Sequence, residues 1–269
     1  MAQKMIFLSH IHEEKALALK IKEALENEFA GFVDVFVSSD GVSIPAGANF
    51  LKRIETGLTD CIGAIYLISP ASVKRNWINF ELGAVWVRNV ISQRDGNQEI
   101  PAIPVCHSGS TPGTLPSPLN NLNGIIANQA SQLEFAFRSL QLAVGGRGQL
   151  RTDFDALANQ VVAFEADYTL GASVVKMLDI LGGTEQKRAL VRNCEKLGIE
   201  AQVDLGCGFV ETNKIQILTE LQVTALKEHV RLVVENPGTS FLPGGAVNGA
   251  ELTVVFAAGL ILRFKDLIE

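Results

Sequence analysis

Cysteine is scarce: Cys61, Cys106, Cys194 and Cys207 stand far apart in apolar surroundings, with no CxxC pair and no Cys/His ligand spacing. That usage argues against a disulfide framework and against a zinc site, and it fits reduced thiols in a cytosolic chain. Positive charge is not in excess either. The formal net charge is −6, so the chain lacks the basic face that a nucleic-acid binder needs. Long hydrophobic runs are missing. The most apolar stretch, residues 252–262, is about half of what a membrane-spanning helix needs. Residues 1–5 run straight into a short strand without the apolar core of a signal peptide. A cytoplasmic protein with no nucleic-acid or membrane partner is the expectation. No GxGxxG or Walker-type loop is present, which removes the support for a dinucleotide-fold oxidoreductase or a P-loop enzyme.

What is present is ample core-forming material. Hydrophobic residues make up 47% of 269, and mean hydropathy is +0.22, enough for one large domain or two of ordinary size. Apolar runs at 4–8 (KMIFL), 33–37 (VDVFV), 63–68 (GAIYLI) and 100–105 (IPAIPV), with a shorter one at 124–126, read as buried parallel strands. Helical spacing fills 13–29, 49–58 and 72–86, whereas 38–47 (SSDGVSIPAG) is a loop by composition. Strands alternating with helices predict an α/β domain with a flavodoxin-like, doubly wound parallel sheet. Ligands bind beyond the carboxyl ends of such strands. Ser9 and His10 follow the first strand, Asp40 the second, and Trp77 with Glu81 the third, so they converge at that edge.

Gly145-Gly146-Arg147-Gly148 is the clearest break and divides the chain into 1–145 and 146–269. In the second part, 150–181 and 185–197 have helical spacing. Residues 201–205 and 209–218 alternate like a hairpin around Gly206-Cys207-Gly208, and 223–234 looks helical. A second, smaller α+β domain is predicted, with no motif that names a ligand. Its helix–helix–hairpin order has the outline of a winged helix, but 12 Lys/Arg against 16 Asp/Glu in 146–269 speak against DNA binding.

The stretch 72–86 (SVKRNWINFELGAVW) carries the one acid with catalytic surroundings. Trp77 and Glu81, four apart, share a helix face, and Phe80, Ala84 and Val85 complete an apolar wrap. A carboxylate placed there loses hydration at a cost of several kcal/mol unless it is paired. Such an acid is either a perturbed functional group or one that reaches past the helix to solvent.

Three segments in order then resemble a known family. They are Ile6-Phe7-Leu8-Ser9-His10, the stretch 38–50 with Asp40 and Pro45-Ala46-Gly47, and the WxxxE pattern Trp77-Ile78-Asn79-Phe80-Glu81 followed by Leu82-Gly83-Ala84. Together they resemble a Toll/interleukin-1 receptor (TIR) domain of the bacterial type, over about half of the chain. Enzymatic members cleave the nicotinamide–ribose bond of NAD+, and some cyclise the remaining ADP-ribose. The resemblance makes Glu81 the catalytic residue, because an oxocarbenium-like ribose develops positive charge that a fixed carboxylate stabilises. NAD+ is substrate rather than cofactor, and no metal is implied.

The resemblance also assigns the surroundings. Trp77 is either an apolar wall of the cleft or core packing. Phe7, Ser9 and His10 lie at the end of the first strand, His10 on the nicotinamide side, while His12 reads as a solvent-exposed loop residue. Asp40 fixes the loop or a ribose hydroxyl, or belongs to an ordinary Asp-Gly turn. Ser43 stands where relatives carry a basic side chain. Gly47 and Phe50 frame the cleft mouth, unless Phe50 is core. Ile44, with Val42, is the sizeable apolar part of a loop that packs on a neighbouring TIR domain in this family. Self-association into an oligomer or filament is therefore expected, with a trigger ligand or protein acting at the C-terminal domain, in the manner of a prokaryotic antiphage effector. The alternatives are a non-enzymatic TIR scaffold and an enzyme acting on another N-glycosidic substrate.

Overall fold

The computed structural model of the protein describes residues 4–38, 50–242 and 245–268. Two compact units divide it, Met1–Ala166 and Asp167–Glu269. In the first, the apolar runs become β1 (Lys4–Ser9), β2 (Val33–Val37), β3 (Gly63–Ile68), β4 (Ala102–Cys106) and β5 (Ile125–Ile126). Among the described residues they form a five-stranded sheet of order β2-β1-β3-β4-β5, with every pairing parallel. Helices α1 (Lys15–Glu28), α2 (Phe50–Asp60), α3 (Asn76–Arg94), α4 (Ala130–Val144) and α5 (Phe154–Leu181) connect and follow the strands.

Strand side chains alternate between faces, so each strand feeds two cores. On one face Ile6 and Leu8 meet Leu17, Ile21 and Leu25 of α1, Phe137 and Leu140 of α4, and Leu157, Ala158 and Val161 of α5. On the other, Phe7, Ala64, Tyr66 and Ile68 meet Ile54 and Leu58 of α2 with Ile78, Leu82 and Val85 of α3. The edge strand β2 is blunted: Lys22 donates to the Val35 carbonyl (2.8 Å) and Glu26 accepts from the Val35 N–H (3.1 Å). Gly145, at φ +88°, stops α4 in the left-handed conformation that glycine tolerates best. The glycine cluster thus ends a helix, and the first residues of α5 still belong to the sheet's core. That is why the compact unit continues to Ala166 rather than closing at 145.

The second unit holds the remainder of α5, then α6 (Thr184–Leu197), β6 (Gln202–Glu211), α7 (Thr212–Ala225), β7 (Val230–Leu242), β8 (Gly245–Ala257), α8 (Ala258–Arg263) and α9 (Lys265–Ile268). Its strands make an antiparallel sheet of order β6-β8-β7. The hairpin expected over 201–218 is not formed. Gly206-Cys207-Gly208 is a bulge in one continuous strand, with Gly208 at φ +65°, and β6 pairs with the distant β8. The helix expected over 223–234 is likewise replaced by the end of α7 and the start of β7. The apolar run 252–262 forms the end of β8 and most of α8, and Leu252, Val254, Phe256, Leu260 and Ile261 lie buried in this unit's own core.

Candidate functional site

The site is assembled from the ends of β1 and β3 and the first turns of α3. After β3, the Ser69 N–H donates to Ser72 Oγ (2.7 Å) and the Ser72 N–H donates back to Ser69 Oγ (3.1 Å). This reciprocal cap fixes the 3-10 turn Ser72–Lys74 that leads into α3. One turn into α3, Trp77 and Glu81 share a face, as their spacing predicts. The Trp77 indole Nε1 donates to Glu81 Oε1 at 2.8 Å, and the Ser9 hydroxyl from the end of β1 donates to Oε2. The Tyr66 hydroxyl reaches the Glu81 main-chain carbonyl at 3.4 Å, and Tyr66 pairs with Ser9 in the sheet register.

Glu81 has no exposed surface, and Ser9 and His10 are buried as well. Trp77 is 42% exposed and Phe80 53%, stacked on each other with ring centroids 5.0 Å apart. Burial pushes the Glu81 carboxyl up to about 7, against the hydrogen bonds from Ser9 and Trp77, which favour the ionised form. Burial, together with the Glu81 charge, holds the Tyr66 phenol well above its ordinary range. The arrangement is a carboxyl in apolar surroundings that exchanges between acid and carboxylate near neutrality, with two neutral donors tuning it.

Of the residues singled out from sequence, Ser9, Trp77 and Glu81 come together. Trp77 is neither pure wall nor pure core, being half exposed and hydrogen-bonded to the acid. Phe7 presents no surface: it stacks on Phe36 (centroids 5.7 Å apart) and packs over Gly57, so it acts through packing. His12 is exposed on the 3-10 turn His12–Glu14. Asp40, Ser43, Ile44 and Gly47 lie outside the described residues, as does the side chain of Phe50, whose backbone opens α2. Two polar residues at this edge were missed. Tyr66 is the one phenol in the run GAIYLI, a signal that could have marked it. Glu14 is fully buried and accepts from the Ile11 N–H, but with an isoleucine at that position the sequence carried no capping signature to mark it.

The TIR domain family model matches residues 6–140, half of the chain. The 2' cyclic ADP-D-ribose synthase BtTIR of Bacteroides thetaiotaomicron is 34% identical over 85 residues, covering 31% of this chain. The matched segment spans 28% of that relative's own length. With the family match over half of its length and its parallel sheet, the chain belongs to the TIR domain family, of the bacterial type.

Proposed function

We propose that the protein is an NAD+ nucleosidase in which Glu81 stabilises the developing ribosyl cation. The observation that carries this reading is the buried Glu81 carboxyl, held by Ser9 and Trp77 at the carboxyl edge of the sheet. In the reaction the bond between the ribose C1′ and the nicotinamide nitrogen breaks, and its electron pair leaves with nicotinamide, which becomes neutral. The ribose is left as an oxocarbenium-like cation. No strong acid is needed for that leaving group. A carboxylate in a dry site stabilises the cation far more than it could in water, and it orients the ribose by accepting from its hydroxyls. Water then adds at C1′, or a hydroxyl of the same ADP-ribose adds and closes a ring; either releases one proton. The product named for BtTIR is the reason to include cyclisation. NAD+ is substrate, and the reading requires no separate cofactor.

Self-association through the TIR domain belongs to the same reading. Val87 and Ile91 on α3 are each more than half exposed, as is Trp86. A separate hollow of about 390 Å³ opens at Trp86, lined also by Leu82, Val90 and Leu122. An apolar face of this kind supports burial against a second copy, and it equally favours the non-enzymatic scaffold as a second reading. A cytoplasmic antiphage effector, switched on by assembly, is the setting we propose.

Incubation of the purified protein with NAD+ separates the readings. Chromatography of the products is expected to show free nicotinamide with linear or cyclic ADP-ribose, and far less of either with the Glu81→Gln protein. A wild-type sample that self-associates yet leaves NAD+ intact, across a range of concentrations, would overturn the NAD+ reading and favour the scaffold.

A further inference from the structure

A second buried carboxylate lies at the same edge of the sheet and is not used by the chemistry above. Glu14 has no exposed surface. Its Oε2 accepts from the Ile11 N–H at 3.1 Å, and its Oε1 accepts from the Ser69 hydroxyl at 2.7 Å and lies 3.2 Å from Nε2 of His107. These partners sit just beyond the ends of β1, β3 and β4. Ile11 is two residues from Ser9. Ser69 is half of the reciprocal cap that launches α3, and thus Glu81. His107 is fixed from its other side by Ser108 Oγ at 3.0 Å from Nδ1 and by the edge of Phe164.

The order Ser108–His107–Glu14 has the connectivity of a nucleophile relay. However, Glu165 accepts from the Ser108 N–H at 2.7 Å. A carboxylate there opposes the oxyanion that such chemistry must stabilise. The cluster therefore holds loops rather than attacking a substrate.

We infer that Glu14 is the positioning residue of the site: by tying the chain after β1 to the chain after β3, it keeps Ser9 and Trp77 aimed at Glu81. The inference rests on the reading of Glu81 given above. The tie suits a carboxylate. Ile11 and Ser69 present hydrogens, and a carboxylate only accepts. In a Glu14→Gln protein the amide oxygen can serve Ser69 and His107, while the amide NH2 faces the Ile11 N–H and breaks that link alone. Ser69→Ala breaks the other link together with the cap that Ser69 Oγ accepts from the Ser72 N–H, and Ser69→Thr restores a hydroxyl for both.

The test reads Glu81 directly. The chain has two tryptophans, and in a Trp86→Phe background the fluorescence of Trp77, which donates to Glu81, follows the ionisation of that acid. Tyr66 also faces Glu81, and its phenol stays neutral through this range; His10 follows Ser9 in the chain, and Glu13 and Arg75 on the same two segments pair with each other at 3.7 Å. Glu14→Gln and Ser69→Ala are each expected to move the Trp77 transition upward by roughly half a pH unit or more, because the bonds from Ser9 and Trp77 are what hold Glu81 down. Ser69→Thr is expected to return it. A purely structural role changes the amount of folded protein and leaves the transition in place. If Glu14→Gln does not fold, Ser69→Ala decides when set beside Ser72→Ala, which breaks the cap but leaves the Ser69–Glu14 bond. Folded variants that titrate like the parent overturn the inference. Because the readout needs no NAD+, variants that show the shift in a protein whose parent releases no nicotinamide overturn the proposed activity and leave the positioning role standing.

Discussion

The indole of Trp77 donates to the carboxylate of Glu81 across a single helical turn, at 2.8 Å. The four-residue spacing of the WxxxE pattern is therefore a hydrogen-bond distance as well as a shared face. Trp77→Phe keeps the ring and its stacking on Phe80 but removes the donor. Loss of one bond to a charged group, at a half-exposed side chain, is expected to raise the Glu81 transition by about one pH unit. At pH 7 this lowers the ionised fraction, and with it turnover, roughly fivefold. Nicotinamide release from Trp77→Phe that matches wild type from pH 6 to 8 would show that the bond does not tune the acid.

The same acid is expected to set the pH dependence of the proposed reaction. Glu81 acts in its ionised form in the proposed reaction, and burial places its transition at about 7. The kcat/KM for NAD+ is therefore expected to rise as pH increases through about 7 and to level above it, reporting the free enzyme. Glu81→Gln is nearly isosteric: its amide oxygen can accept from Trp77 while its NH2 donates to a reoriented Ser9 hydroxyl. Turnover is expected to fall by about 10²–10³-fold or more, with the acid limb gone. A residual acid limb in Glu81→Gln would place the titrating group elsewhere.

Stability carries the opposite sign. The Glu81 carboxyl binds its proton more tightly in the fold, near 7, than in the unfolded chain, near 4.5. Folding is thus favoured in acid, and that contribution is lost as pH rises from 4.5 through 7. Over the whole window the loss is on the order of 3 kcal/mol. Glu81→Gln does not titrate, so it is expected to gain stability on wild type steadily across that window and to hold the gain above it. Urea unfolding at pH 4, 6 and 8 measures this. A Glu81→Gln protein less stable than wild type at pH 8, by the amount seen at pH 4, would mean the acid is not destabilised in place.

Most of this site was legible because its key pair is local. Trp77 and Glu81 belong to one helix, and a spacing of four residues needs no knowledge of the sheet. Ser9 could be placed at the same edge because parallel strands put their carboxyl ends together. The Glu14 cluster was not legible in the same way. Its partner Ser69 is 55 residues away, and nothing in the sequence says that the two loops touch. Distance also explains the second unit. Gly206-Cys207-Gly208 is locally a turn signal, but β6 satisfies its backbone on β8, some fifty residues downstream, and the glycines become a bulge. Residues 223–234 have helix-compatible spacing, and the pairing of β7 with β8 overrides it.

The exposed face of α3 yields the last prediction. Trp77, Phe80, Ala84, Val87 and Ile91 follow one another at intervals of three and four residues, the spacing of a helix seam. Leu82 and Val85 on the opposite face are buried in the sheet's core, so the helix is held without help from the outer one. Substitution at Val87 or Ile91 therefore leaves the fold intact, which makes the face testable by charge. If a second copy covers it, Ile91→Asp removes about 1.5–3 kcal/mol of burial, before the cost of the buried charge is counted. Association is then weakened by roughly ten- to a hundredfold. Wild-type turnover per subunit is expected to rise with protein concentration, and the Ile91→Asp curve to lie at least tenfold further along the axis. Light scattering on the same samples should move with it. Equal turnover per subunit at every concentration, in a wild type shown to be monomeric, would mean that α3 meets no second copy and that the site is complete in one chain.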